Sequence, residues 1–196
     1  MHFTKIFSIG LLATSATAAP TASRRSLADV QAAFDKIQAS IATMVTKINA
    51  WDGQAASVTG VMEESGKLLA TIKSSTTAIQ GSSAIGIVDA VGVLGPVNVL
   101  SAKVDDVVTA LLTKKGQFDG AKVTGQVSEQ LVQDQTATRE LIKAILGKLP
   151  SMTVPIAQPI ADGVSTKLDK AVTAFGPAGG AAPAAPGAPG APATAA

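Results

Sequence analysis

The most regular hydrophobic pattern in the chain covers residues 27 to 51. Apolar residues recur there at alternating intervals of three and four, the spacing that aligns side chains on one face of an α-helix. Ser26 with Asp29 three residues later is typical of a helix N-cap, and Asp52-Gly53 is typical of a helix end. The pattern therefore predicts a first helix of about 25 residues, about 37 Å long. Its apolar positions are Leu27, Val30, Phe34, Ile37, Ile41, Met44, Ile48 and Trp51.

Four later stretches show the same helical spacing and predict four further helices. Polar residues interrupt two of them: Ser65 and Thr76 in the second stripe, and Asp134 and Thr138 in the fourth. The apolar positions are Val58, Met62, Leu69, Ile72 and Ile79 in the second; Val97, Leu100, Val104, Val107 or Val108, and Leu111 or Leu112 in the third; Val123, Val127, Leu131, Leu141, Ile145 and Leu149 in the fourth; and Ile160, Val164, Leu168, Val172 and Phe175 in the fifth.

Prolines and short connections predict where these helices begin and end. Pro96 suits the first turn of the third helix, Pro150 ends the fourth, and the fifth starts between Pro155 and Pro159. Residues 85–95 are β-branched and glycine-rich, and we expect a loose short helix or a loop there. Because the connections are short, consecutive helices should pack antiparallel. The predicted fold class is all-α, an antiparallel bundle of about five helices over residues 26–175.

Composition removes most catalytic chemistry from consideration. The chain has no cysteine and no tyrosine, and its one histidine is His2. Disulfides, thiolate metal sites and histidine-assisted nucleophiles are therefore excluded from residues 26–175. Gly60 to Lys67 resembles a phosphate loop, but its spacing is wrong and it lies within a helical stripe. The adjacent carboxylates Glu63-Glu64 and Asp105-Asp106 point about 100° apart on a helix, so a solvated face is expected. We predict no catalytic residues, no metal site and no cofactor.

Cleavage is expected within the first 25 residues, so that the mature chain lacks residues 1–18 or residues 1–25. Residues 1–18 have the charged start, short apolar core and small-residue end of a secretory signal peptide, with cleavage expected after Ala18. Residues 19–25 form a leader that ends in the dibasic pair Arg24-Arg25, which suits a processing protease. The apolar run is too short for a transmembrane segment.

The net charge restricts the class of partner, and the composition of the last 21 residues predicts their structure. Removing Lys5, Arg24 and Arg25 leaves 13 basic and 14 acidic residues, so no nucleic-acid partner is expected. Residues 176–196 are ten Ala, five Pro, five Gly and one Thr. Such a segment cannot build a packed core, so we expect a disordered tail. It lacks the strongly hydrophobic end of a GPI signal.

Three polar residues in the helical stripes leave two possibilities open. Ser65, Asp134 and Thr138 would line a cavity and meet the head group of a ligand, or the stretch from Gln133 to Glu140 faces solvent beyond the bundle. A buried polar group must be hydrogen-bonded or it lowers stability. Of these two possibilities, we favour the one in which this stretch faces solvent.

The chain resembles the fungal hydrophobic surface-binding protein A family, which includes ligand-binding domains of cell-wall galactomannoproteins. The resemblance rests on the leader, the dibasic pair, the segment Val30 to Ile37, Trp51 and a cysteine-free helical body. It implies a secreted, extracellular or cell-wall protein that has no enzymatic activity. It also implies that fatty acids bind between helices, or that the protein adsorbs to hydrophobic surfaces.

Two functions therefore remain at this stage. One is a mannoprotein-like wall protein that binds hydrophobic surfaces, and the alternative is a soluble carrier of fatty acids or similar lipids. The expected partners are hydrophobic surfaces or a long-chain lipid, with wall polysaccharide or a secreted hydrolase as further partners. The candidate ligand-binding residues are Phe34, Ile41, Leu69, Ile72, Leu100, Val104, Leu141, Ile145, Ser65, Asp134 and Thr138.

Overall fold

The computed structural model describes residues 19–176, and almost all of them lie in five long α-helices. The predicted signal peptide with its Ala18 cleavage site lies outside the described residues, and so does the predicted tail from residue 177 onward. The helices are α1 (Ala19–Ala50), α2 (Thr59–Gly81), α3 (Ile87–Gly120), α4 (Thr124–Leu146) and α5 (Val154–Phe175), with a short 3₁₀ turn at Ala55–Ser57 before α2. No strand occurs among residues 19–176, so the all-α prediction is confirmed.

The five helices form a closed ring. Helix α1 packs against α2 and α3, α4 packs against α2 and α5, and α3 completes the ring by packing against α5. Within the described part of the chain α2 and α3 make no contact, although they follow one another in sequence. A ring of five helices leaves an axial space that side chains alone must fill.

Consecutive helices run in opposite directions, but the prediction that they pack against each other is wrong for α2 and α3, because the ring places parallel helices side by side. Trp51 at the end of α1 stacks on Phe118 at the end of α3, and Phe175 at the end of α5 meets the same ring. Helices α1, α3 and α5 therefore run one way. The Nζ of Lys148, just after α4, donates to the carbonyl of Gln80 near the end of α2 at 2.8 Å, so α2 and α4 run the other way.

Helix α1 begins earlier than predicted. It continues from Ser26 back to Ala19, so the predicted N-cap at Ser26 is wrong and the predicted leader, including Arg24 and Arg25, is helical. Proline is tolerated in the first turn because its missing N–H has no partner there, which suits Pro20. Alanine and arginine also favour the helix.

Helix α3 is longer than predicted because tertiary packing outweighs the local sequence. Residues 87–95 form its first turns, so the expected loose helix or loop is wrong. Pro96 lies in the helix interior, where it removes the hydrogen bond to the carbonyl of Gly92. Ala90 and Val93 are almost fully buried, and Leu27 of α1 packs close to the backbone at Gly92. This burial holds the helix through the proline.

The remaining helix ends lie close to the predictions. Helix α4 begins after Val123 and ends before Gly147, three residues short of Pro150, while α5 begins one residue before Pro155. The buried face of α5 includes Ala157 and Ala161 rather than Ile160, which is only half-buried. The two small residues place the backbone of α5 near the axis of the ring.

Candidate functional site

A cavity of about 90 Å³ occupies the axis of the ring. It is lined almost entirely by aliphatic side chains, and every one of the five helices supplies part of its wall. An apolar void of this kind stays free of water and suits an apolar guest. The lining residues are Phe34, Ile37, Ile41 and Met44 of α1; Leu68 and Ile72 of α2; Val93, Leu94, Val97, Leu100, Val104 and Val107 of α3; Leu131, Asp134, Thr138, Leu141, Ile142, Ile145 and Leu146 of α4; Leu149; and Ala157, Ala161, Val164 and Leu168 of α5.

The cavity is elongated along the ring axis. Its lining runs along α3 from Val93 to Val107, which at helical rise spans about 21 Å. Four of the aliphatic lining residues are only half-buried: Leu94, Val97, Ile142 and Leu146. These four residues belong to the first half of α3 and the end of α4, so they mark the open end of the cavity. The polar lining residue Thr138 is half-buried as well.

Exposed apolar side chains surround this open end. Val88 is 88% exposed, and Ile87, Val91, Met152 and Ile156 are between 58% and 66% exposed. We call these five residues the rim patch, because they lie at the start of α3 and around the start of α5. Among the described helices, α3 is long and apolar enough to cross a membrane by length and composition alone. Its contacts with α1 and α5 instead make it a wall of the ring.

The opposite, inner end of the cavity carries a buried carboxyl group. Asp134 is only 6% exposed. The Ser65 hydroxyl donates to its Oδ2 at 3.0 Å, and the Gln130 side-chain amide donates to its Oδ1 at 3.2 Å. Burial raises the pKa of the Asp134 carboxyl to about 6, against the opposing effect of these two hydrogen bonds and of the Lys73 charge. Asp134 therefore changes charge within the mildly acidic range.

Thr138 is the other polar residue of the cavity wall, one helical turn from Asp134. Its hydroxyl donates to the backbone carbonyl of Asp134 at 2.7 Å. The proton of Thr138 is therefore committed within the helix, while its oxygen can still accept a hydrogen bond.

Two of the three polar residues lie in the interior of the bundle, and a contact with a ligand head group stays a prediction. Ser65 and Asp134 are buried and bonded to each other, so the expectation that this stretch faces solvent is wrong. Ser65 does not line the main cavity. It lies in an adjoining space of about 10 Å³, which it shares with Asp134.

Nine of the eleven candidate residues line the main cavity, and their role in binding stays a prediction. They are Phe34, Ile41, Ile72, Leu100, Val104, Leu141, Ile145, Asp134 and Thr138. Leu69 is half-buried and outside the wall, where its neighbour Leu68 takes the predicted place. Either leucine completes a helical stripe, so the spacing alone could not choose between them.

The candidate ligand-binding residues included none from α5, although Val164 and Leu168 were predicted in its apolar stripe. Ala157, Ala161, Val164 and Leu168 recur at helical spacing, and this recurrence was the available indication. The stripe of this helix was predicted from its larger residues, and Ala157 and Ala161 were therefore left out.

Four acidic residues elsewhere in the described chain, Glu64, Asp105, Asp106 and Asp119, form ion pairs with lysines. Glu64, which was expected on a solvated face, is buried and meets Lys67 at 3.1 Å. Asp105 receives a hydrogen bond from Lys167 at 2.6 Å. Residues 60–67 lie within helix α2 and do not form a phosphate loop. No group of three or more potential metal ligands occurs among residues 19–176.

Fold and cavity together define an all-α protein built around an apolar axial chamber. The model of the family "hydrophobic surface binding protein A" matches residues 27–147, and the chain belongs to this family. The matched segment ends before α5, so the last wall of the chamber lies beyond it.

Curated relatives are fungal cell-wall proteins. Cell wall mannoprotein 1 of Aspergillus flavus is 32% identical over 178 residues, which covers 89% of this chain and 63% of the relative. Its namesake from Aspergillus fumigatus is 31% identical over 162 residues and is covered to 56%. The chain thus spans about six tenths of the length of these relatives.

Solved structures share the fold. Ligand binding domain 1 of the Penicillium marneffei MP1 protein, complexed with arachidonic acids, superimposes with a TM-score of 0.74 at 20% identity, covering 78% of this chain and 99% of that domain. AFMP4P in complex with palmitic acid gives a TM-score of 0.73 at 19% identity, covering 76% and 99%. At this identity the comparison establishes the arrangement of helices.

Proposed function

We propose that this chain is a secreted, wall-associated protein without enzymatic activity that holds a long-chain aliphatic lipid, such as a fatty acid, in the axial cavity. The observation that carries the proposal is the cavity wall, in which Asp134 and Thr138 are the only polar residues. The fatty acids in the related solved structures support the same class of ligand.

The shape of the cavity predicts how affinity depends on chain length. Each buried methylene contributes about 0.8 kcal/mol, so affinity should rise with chain length until the axial space is full. Calorimetric titration of saturated fatty acids of increasing length tests this dependence. A fixed stoichiometry and a length optimum are expected. Uptake without saturation would exclude a carrier.

A matched pair of variants tests whether the cavity is the binding site. Ala161 lies in the cavity wall on α5, whereas Ala102 is exposed on α3. Ala161→Phe should fill the space and abolish binding of the longer ligands, while Ala102→Phe should leave binding unchanged. Circular dichroism of both variants checks that the helices are intact.

A second function, adsorption to hydrophobic surfaces, is supported by the rim patch. Contiguous exposed apolar side chains commonly mark contact sites. Replacing Val88 and Ile156 with glutamate should lower adsorption to polystyrene beads, while the cavity stays unchanged. If this variant also lost lipid binding in solution, the rim patch would serve both activities. If its adsorption were unchanged, the rim patch would have no role in adsorption.

Wall association and further partners are also proposals. The curated relatives are cell wall mannoproteins, and cell fractionation of a fungal host tests whether this chain has the same location. Wall polysaccharide and a secreted hydrolase stay predictions, which retention on insoluble wall glucan and co-purification would test.

A further inference from the structure

The inner end of the cavity is rich in hydrogen-bond acceptors. An ionised carboxylate has about four lone-pair sites, and those of Asp134 receive the two described hydrogen bonds from Ser65 and Gln130. The proton of Thr138 is committed to a backbone carbonyl, which leaves its oxygen as a further acceptor. A group that reaches this end of the cavity must therefore bring a donor of its own.

Little positive charge is available there to receive an anion. The cavity walls that α1, α3 and α5 contribute are apolar, and the α1 and α3 residues that share the adjoining space with Asp134 are Met44 and Leu111. Gln130 of α4 and Ser65 of α2 are neutral. Lys73, an exposed residue of α2, is the cation that acts on the carboxyl from a distance. A second carboxylate beside Asp134 would be repelled strongly in this low-dielectric space.

We propose that the inner end of the cavity is a hydrogen-bond-accepting subsite that takes a neutral O–H group of a lipid, such as the hydroxyl of a long-chain alcohol, and excludes a carboxylate anion. This proposal rests on the proposed lipid binding. It sets the orientation of each ligand class. An alcohol enters with its hydroxyl toward Asp134, whereas an ionised fatty acid keeps its carboxylate at the open end and its methyl group inside.

The same geometry predicts a change with pH. Protonation of Asp134 or of the fatty acid removes the repulsion, and the two carboxyl groups can then share hydrogen bonds. A fatty acid should therefore gain affinity as the pH falls through the pKa of Asp134. A long-chain alcohol should lose affinity or stay unchanged, because it loses a charged acceptor.

Titration calorimetry with hexadecanol, hexadecanoic acid and methyl hexadecanoate tests the subsite, with each lipid delivered from cyclodextrin. At about pH 8, above the Asp134 pKa of about 6, the alcohol should bind at least about tenfold more tightly than the ionised acid. It should also bind more tightly than the ester, which is neutral but has no donor. Equal affinity for alcohol and ester would overturn the proposal without any variant.

Asp134→Asn removes the charge at nearly constant shape and should reduce the preference for alcohol over acid to within about threefold. Asp162→Asn is the matched control, because Asp162 accepts a hydrogen bond from the glutamine four residues earlier, as Asp134 does, but is exposed. The control should keep the full preference. If both variants behave alike, or if the wild type shows no preference, the subsite is wrong although lipid binding stands. If none of the three lipids binds saturably, the proposed function fails together with the subsite.

Discussion

The ring of Trp51 stacks on that of Phe118, with centroids 4.3 Å apart and planes 19° from parallel. Phe175 meets Phe118 edge-on at 5.8 Å, and the Nζ of Lys114 donates to the Trp51 carbonyl at 3.0 Å. These contacts join the C-terminal ends of α1, α3 and α5. They close the bundle at the end opposite to the rim patch, so the cavity opens in one direction.

Phe118→Ala should destabilise the protein by about 3–5 kcal/mol, because it removes a fully buried ring and leaves a void between three helices. Urea unfolding measures the loss, and the emission of Trp51, the only tryptophan, should change because its stacking partner is gone. Leu112→Ala on the same helix is the control, since Leu112 is 42% exposed. An equal loss in the control would contradict the assigned packing.

The contribution of Asp134 to the stability of the protein should fall as pH rises from about 4 to about 6. The pKa of Asp134 is raised from 3.8 to about 6 in the folded chain, so the folded state binds the proton more tightly than the unfolded state. The stabilisation from this proton is complete below the pKa of Asp134 in the unfolded state. It is lost as pH rises through the pKa in the folded state, and the loss amounts to about 3 kcal/mol.

Urea unfolding of the wild type and of Asp134→Asn across this pH range isolates the effect. The exposed carboxyls of Asp52 and Asp119 have lowered pKa values and act in the opposite direction, but they are common to both proteins. The free energy of unfolding of the wild type, relative to that of Asp134→Asn, should therefore fall as pH rises. A constant difference would show that Asp134 does not titrate in this range.

Ser65→Ala should raise the pKa of Asp134 above about 6, because the Ser65 hydroxyl stabilises the ionised carboxyl. NMR titration of the carboxyl carbon measures the pKa directly. Ser74→Ala is the control on the same helix, since the Ser74 hydroxyl donates only to the nearby Thr71 carbonyl. If the pKa of Asp134 were unchanged in Ser65→Ala, the Ser65 hydroxyl would not stabilise the ionised carboxyl.

Ile41→Asp should unfold the bundle, because an unpaired charge in the cavity wall costs several kcal/mol against a total stability of about 5–15 kcal/mol. Ile41 is 3% exposed, whereas its neighbour Ala42 is exposed. Ala42→Asp should therefore melt close to the wild type. A normal melting curve for Ile41→Asp would mean that this face of α1 does not point into the ring.

The sequence predicted the helices well where the apolar spacing was uninterrupted. Every apolar position from Val30 to Trp51 in the first stripe is buried, because each gap of three or four residues agreed with a single helix face. Prediction failed where two choices were locally equivalent, as with Leu68 and Leu69. It also failed where distant contacts outweighed a local preference, as in the helix that continues through Pro96.

The candidate site was predictable in its chemistry but not in its geometry. Polar residues in an apolar stripe indicated a special position, yet the partner of Asp134 is Ser65, 69 residues away. Ser65 and Asp134 meet because α2 and α4 pack side by side in the ring. The spacing along one helix contains no information about which other helix lies beside it.

The position of α5 in the ring also determines when the cavity comes into being. This helix bridges α3 and α4, and it is the last of the five to leave the ribosome. Until it docks, the first four helices leave a trough with one side missing. Under the proposed function, a lipid present during synthesis would be enclosed from the side as the ring closes, without passing the rim patch. Protein purified from cells should therefore contain lipid in its cavity, whereas protein refolded in lipid-free buffer should not.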